Sequence, residues 1–327
     1  MSRLQRRAIS VPALGLAAVL LVVLLPVWLP LAAIADLVRG RARLPTVRLL
    51  AFAVCWAWLE TIGVMTALVL WLTGKGRNER AHYALQRWWA ARLMGALGVT
   101  TGIRVEAADS SCLQPGPAVM LCRHASLADS LLSAWVITSK ARMNPRYVLK
   151  RELLGDPCLD IVGNRLPNHF LDRNATDTTA ELDALRTLAE GLHDDQIAVI
   201  FPEGTRATPK KRERAITKIT ERDPARGQRL APLHHLLPPR PAGSLALIEG
   251  CPQADVIVAW HVGFDGLDTF GGILRHLARR PRPVQFHARR IPRVDVPEGD
   301  AFTRWLDEMW LQSDAAVHAL LSPEGTA

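Results

Sequence analysis

Ala118-Val-Met-Leu-Cys122-Arg-His124-Ala-Ser-Leu-Ala-Asp129 passes from an apolar run through a polar turn into a second apolar stretch that begins Leu131-Leu132. Its first five residues have the length and apolarity of a buried strand, and residues 125–139 have helical length and periodicity. On one continuous helix, residues five apart point about 140° away from each other, so His124 and Asp129 would never meet. His124 therefore belongs to the turn, and Asp129 to the first helical turn, from which it reaches back. In that geometry the carboxylate fixes the imidazole tautomer and stabilises its cation, leaving the other ring nitrogen to take a proton from an alcohol. Ser126-Leu-Ala-Asp129 also fits a helix cap, in which Asp129 merely satisfies the helix start. The chain contains no serine elbow of the Gly-x-Ser-x-Gly kind, so such a histidine would act on a substrate hydroxyl directly.

Outward from this stretch, Arg146-Tyr-Val-Leu-Lys150, Ile197-Ala-Val-Ile-Phe201, Ala254-Asp-Val-Ile-Val-Ala259 and Val284-Gln-Phe-His-Ala288 read as further strands. Residues 176–193 and 300–321 read as helices, so the expected fold is α/β, a mixed sheet flanked by helices. Phe201-Pro-Glu203-Gly204-Thr205-Arg206 sits at the carboxyl end of one strand, where ligands bind in open α/β sheets. Gly204 permits close backbone approach, Thr205 offers a hydroxyl and Arg206 a planar fork for phosphate. Gly163-Asn-Arg-Leu-Pro-Asn-His-Phe-Leu-Asp-Arg173 places Arg173 after a short strand.

In this order, the three pieces resemble the acyltransferases that acylate lysophosphatidic acid, glycerol phosphate and lysophospholipids, whose motifs are H-x4-D, a Phe-x-Asp-Arg block and Phe-Pro-Glu-Gly-Thr-Arg. Leu236-Leu-Pro-Pro-Arg240-Pro-Ala-Gly243 and Arg289-Arg-Ile-Pro-Arg-Val-Asp-Val-Pro297, followed by Trp305-Leu306, look like the branch of larger animal lysophospholipid acyltransferases. The resemblance covers roughly residues 81–320. It implies a catalytic pair of His124 and Asp129, an acceptor site shaped by Arg173, Glu203, Gly204, Thr205, Arg206 and Arg240, and an acyl-CoA or acyl-carrier-protein donor, with no metal or other cofactor. Backbone amides after His124 are the expected oxyanion donors. Many members carry Asn before the histidine where this chain has Arg123, and Val256-Ile-Val-Ala-Trp-His-Val262 stands in place of a strand that usually ends in proline. His261 beside that strand reads as a packed or solvated histidine rather than a substrate contact.

Residues 11–35 carry no charge, a run longer than the roughly 20 residues a helix needs to cross hydrocarbon, until Asp36 ends it. Residues 51–72 form a second such run, interrupted only by Glu60. An acid there is functional, or protonated and hydrogen-bonded to the partner helix, or part of a hairpin that lies shallowly at the interface. The expected arrangement is a hydrophobic hairpin over 1–74, in which Pro12, Pro26 and Pro30 kink or interrupt the first helix. An amphipathic connecting helix over 75–100 and an α/β domain over 101–327 follow. Trp88 and Trp89 on the connecting helix suit either a membrane interface or core packing. Arginines flank both runs on every side, which a hairpin dipping into one leaflet would accommodate at a single anionic surface.

Across 327 residues, 49% are hydrophobic and 22% charged, which excludes a disordered, collagenous or coiled-coil chain. The 40 Lys+Arg against 31 Asp+Glu give +9 and favour a polyanionic partner. Basic residues are not interleaved with stacking aromatics, so anionic lipid is expected rather than nucleic acid. Arg206 to Pro241, with Lys210-Lys-Arg-Glu-Arg214, reads as a basic helix and loop, either a solvated face or a lipid contact. Five scattered cysteines without Cys-x-x-Cys spacing suit a reducing compartment, placing the α/β part on the cytoplasmic face of a membrane. The reaction expected from these readings is transfer of a fatty acyl chain to 1-acylglycerol-3-phosphate. Another lysophospholipid or glycolipid acceptor, or a catalytically silent lipid-binding adaptor, are the alternatives.

Overall fold

The computed structural model describes residues 2–107, 110–172, 178–280 and 282–322. The N-terminal apolar region forms three helices rather than two: α1 (Arg3–Val23), α2 (Leu25–Val38) and α3 (Pro45–Leu72). The break falls at Leu24, just ahead of Pro26, because proline lacks an amide donor and its ring crowds the residue before it. Pro12 and Pro30 are accommodated inside α1 and α2. Asp36 turns back to the start of α3, accepting from Thr46 N at 2.7 Å and Thr46 Oγ1 at 2.8 Å. α1 and α3 are long and apolar enough to cross a membrane.

The connecting helix α4 (Glu79–Thr101) ends in the left-handed region at Gly102. Its last carbonyls are capped from α3: the Arg48 guanidinium donates to Thr100 O at 3.3 Å and also to Thr101 O. Farther along, Trp89 Nε1 donates to Glu60 Oε1 at 2.9 Å, so the acid in the apolar run is hydrogen-bonded to α4 rather than to α1. The hairpin is thus packed onto the rest of the chain and not merely tethered to it.

After α4 come β1 (Val105–Ala107), β2 (Ala118–Cys122), α5 (Asp129–Trp135), β3 (Asn144–Lys150), α6 (Pro157–Val162), β4 (His169–Leu171), α7 (Thr178–Ala189) and β5 (Gln196–Ile200). The chain closes with α8 (Pro209–Arg222), α9 (Pro224–Leu230), α10 (Pro241–Gly250), β6 (Asp255–Val262), α11 (Phe270–Ala278), β7 (Val284–Ile291) and α12 (Asp300–Leu321). The strands form one sheet in the order β1-β7-β6-β2-β5-β3-β4, parallel throughout except for the β6–β7 pair. β2 and β5 are buried at every position, as expected of central parallel strands covered on both faces. Met120, Cys122, Ile257 and Ala259 face α4 and α5, while Val119, Leu121, Val256 and Val258 face the side holding Trp310 of α12. The helix expected over 125–139 begins only at Asp129 and ends in a π turn, Val136–Lys140.

Buried ion pairs hold the outer elements in place. Arg6 and Arg7 of α1 reach Asp160 of α6 at 2.7 and 2.9 Å. Arg226 and Arg229 of α9 meet the buried Asp307 of α12 at 2.9 and 3.0 Å. Asp314, about two helical turns further along α12, accepts from the amides of His234, His235 and Leu236 at 2.7–2.8 Å, which fixes the segment leading to Arg240. The basic region 206–241 is therefore partly locked: α8 has no buried residue, whereas α9 and its loop are bound to α12.

Candidate active site

Parallel strands β2 and β5 end side by side, at Cys122 and Ile200, and the segments that leave them carry the two main motifs. His124 lies in the turn after β2. Its Nδ1 is 2.9 Å from Asp129 Oδ2, so the proton on Nδ1 faces the carboxylate and Nε2 is left for a ligand. Asp129 is also the hub of the turn. Its Oδ2 accepts from Ala125 N at 2.6 Å and Ser126 N at 2.8 Å, and its Oδ1 from Ser126 Oγ. The catalytic-pair and helix-cap readings of Asp129 thus describe one arrangement. The same bonds correct the expected oxyanion donors, since both amides after His124 are taken up by Asp129.

Glu203 holds the turn from the other side. It is buried, with Oε1 accepting from His124 N at 2.8 Å and Oε2 from Leu237 N at 2.9 Å. Glu203 therefore clamps the two segments together and does not line the cavity, unlike the acceptor-site role expected of it. Burial pushes its carboxyl up to about 8, against the lowering effect of those two amides and of Arg123. Asp129 behaves oppositely. Burial alone would raise it, but the neighbouring His261 ring and the hydrogen bond from His124 outweigh that and hold it well below the usual carboxylate range.

Gly204 sits at φ +68°, a conformation that suits glycine, and a Cβ there would lie 3.3 Å from the Arg240 guanidinium. Arg240 N donates to Pro202 O at 3.0 Å, tying the start of α10 to the same loop. The outcome is a cavity of about 490 Å³ lined by His124, Lys150, Phe201, Gly204, Arg206 and Arg240, among others. Thr205 does not line it; its hydroxyl accepts from Lys211 Nζ at 3.2 Å. Arg173 lies outside the described residues. Lys150, at the end of β3, adds a cation that the motifs do not reveal.

Beside this cavity lies a second, of about 420 Å³, and the two share Leu127, Ser130, Leu149 and Leu153. Its walls are mostly apolar and come from both the hairpin and the α/β part, including Phe52, Trp56, Trp89, Tyr147 and Val162. His261 is neither solvated nor simply packed. It is buried with Nε2 3.1 Å from Asp129 Oδ1. Strand register is the signal that would have found it: Ala259 pairs with Cys122, so His261 stands two residues on, on the same sheet face, beside the turn.

Residues 104–228 match the protein-family model described as Acyltransferase. The chain is 25% identical over 296 residues to lysophosphatidylinositol acyltransferase 10 of Caenorhabditis elegans, covering 84% of this chain and 71% of that protein. Its structure resembles the crystal structure of the 1-acyl-sn-glycerophosphate (LPA) acyltransferase of Thermotoga maritima, with a TM-score of 0.54 and 16% identity over 84% of this chain and 97% of that one. At that identity the likeness is one of fold.

Proposed function

From a chain that belongs to the glycerolipid acyltransferase family, we propose a membrane-bound enzyme that moves a fatty acyl chain from an acyl thioester to the hydroxyl of a lysophospholipid. The observation that carries this reading is His124, held through Nδ1 by Asp129, with Nε2 left toward a cavity that also holds the Arg206 and Arg240 cations. His124 Nε2 removes the proton from the acceptor hydroxyl as its oxygen attacks the thioester carbonyl. Collapse of the tetrahedral intermediate breaks the carbon–sulfur bond, and the thiolate leaves with the proton that His124 took. Asp129 stabilises the imidazolium in between. The donor is acyl-CoA or acyl-carrier protein, and no metal or cofactor enters the scheme.

Arg206 and Arg240 suit an acceptor phosphate, because guanidinium forks bind phosphate with charge-assisted hydrogen bonds. The acceptor we favour is 1-acylglycerol-3-phosphate, giving phosphatidic acid. The name of the Caenorhabditis elegans relative favours a second acceptor, lysophosphatidylinositol, which presents a phosphate in the same position relative to its hydroxyl. The apolar second cavity suits an acyl chain, and α1 and α3 would seat the protein at a membrane with the α/β part on the cytoplasmic face. Purified protein supplied with labelled acyl-CoA and a panel of lysolipids tests the reading. Label should enter one or more lysophospholipids, and His124→Ala should lose about 10²- to 10⁴-fold in rate. A folded protein that acylates none of them defeats it and leaves the lipid-binding adaptor.

A further inference from the structure

We propose that His261 is a positioning residue of this site: its ring lies against the second oxygen of Asp129 and holds the carboxylate in the orientation that keeps His124 aimed at the acceptor. The proposal rests on the reading of His124 as the base.

The two oxygens of Asp129 have unequal surroundings. Oδ2 takes His124 Nδ1 and the amides of Ala125 and Ser126, all from the turn itself. Oδ1 has Ser126 Oγ, again from the turn, and His261 Nε2 at 3.1 Å. His261 is therefore the contact that references the carboxylate to the sheet. Its own place is well determined. It pairs with Phe286 across β6–β7, its ring meets the Phe264 ring edge-on at 5.8 Å, and its carbonyl accepts from the Arg123 guanidinium. Arg123 also pairs with Asp265 at 2.6 Å, so the residue just before His124 is bound to the same strand end.

The imidazole approaches Asp129 obliquely, so the 3.1 Å contact lies outside hydrogen-bond geometry, and among the described residues neither ring nitrogen has a hydrogen-bond partner. The contact is attractive when the proton sits on Nε2, whose positive edge then faces the carboxylate. Rotation of an unrestrained carboxylate would carry Oδ2 away from His124 Nδ1. Displacement of a catalytic group by about 1 Å can cost roughly 100-fold in rate.

Three variants of the full-length protein test this: His261→Gln, His261→Asn and His261→Phe. Glutamine can set an amide N–H near the place of Nε2, whereas asparagine reaches only as far as Nδ1 and phenylalanine keeps the ring without a donor. The expected result is a loss in kcat of about 10- to 100-fold for the Asn and Phe variants with KM for both substrates nearly unchanged, and near-wild-type kcat for Gln. Wild-type turnover by the Phe variant, an equal loss in all three, or a change confined to KM overturns the proposal. A readout free of turnover accompanies it. In spectra of [15N]histidine-labelled protein, the His261 ring signal should move on Asp129→Asn, and a signal that stays put overturns the proposal. Absence of acyl transfer by wild type together with a responsive His261 signal would instead reject the proposed reaction and leave the contact standing.

Discussion

Glu203 joins two segments through both carboxyl oxygens, and its replacement is informative because glutamine has the same shape but one oxygen fewer. In Glu203→Gln an amide group faces the N–H of either His124 or Leu237, donor against donor, and a buried N–H is left unpaired. That should cost about 1–3 kcal/mol, read as a lower denaturation midpoint near neutral pH. The pH dependence has a definite sign. Because burial raises the folded-state value to about 8, the folded protein keeps a proton that the unfolded chain releases at the ordinary carboxyl value of 4.5. The stability contributed by the protonated carboxyl is full below 4.5 and is lost as pH rises through about 8. The Gln variant should lack this decline when midpoints are compared across that window. Arg240→Lys probes the acceptor. Lysine cannot reproduce a planar fork, so kcat/KM for lysophosphatidic acid should fall about 10- to 100-fold while monoacylglycerol, already poor, changes little. Equal losses on both would make Arg240 a support for the Gly204 turn. His124 and Asp129 are legible in the sequence because their pairing is local and the turn forces it. His261 is not, since only the register of β6 on β2 brings it to them.

Among the elements, the central strands and α12 were readable from apolar run length and helical period, and α12 has the bounds that its sequence indicates, Asp300–Leu321. β1, three residues long at the sheet edge, carries no such signal and is placed by its pairing with β7. α5 starts later than the helical pattern of residues 125–139 indicates, because Asp129 draws the amides of Ala125 and Ser126 into a turn. α6 offers a test of the apolar cavity. Val162, near its end, lines that cavity beside Leu166 and Trp89. Val162→Phe should fill part of the space and shift preference toward shorter acyl donors, seen as a fall in kcat/KM that grows with chain length. A uniform fall for all lengths would place the acyl chain elsewhere.

For the molecule as a whole, the net charge of +9 is unevenly placed. Lys210, Arg214, Lys218 and Arg222 recur at every fourth position on α8 and are all exposed, so they share one face. Changing Lys210, Arg214 and Lys218 to Glu should weaken binding to anionic vesicles by at least ~1 kcal/mol per residue, in sedimentation assays that also show release by salt. Unchanged binding would make α8 a solvated face. Removing residues 1–74 is a harsher change than their sequence suggests. Arg48 caps α4 from within α3, and Phe52, Trp56 and Glu60 form one wall of the apolar cavity. The N-terminal helices are therefore more than an address label. A chimera carrying another protein's N-terminal helices would have its apolar chamber open on one side, so these helices and the chamber they help to enclose can be exchanged between proteins only as a single part.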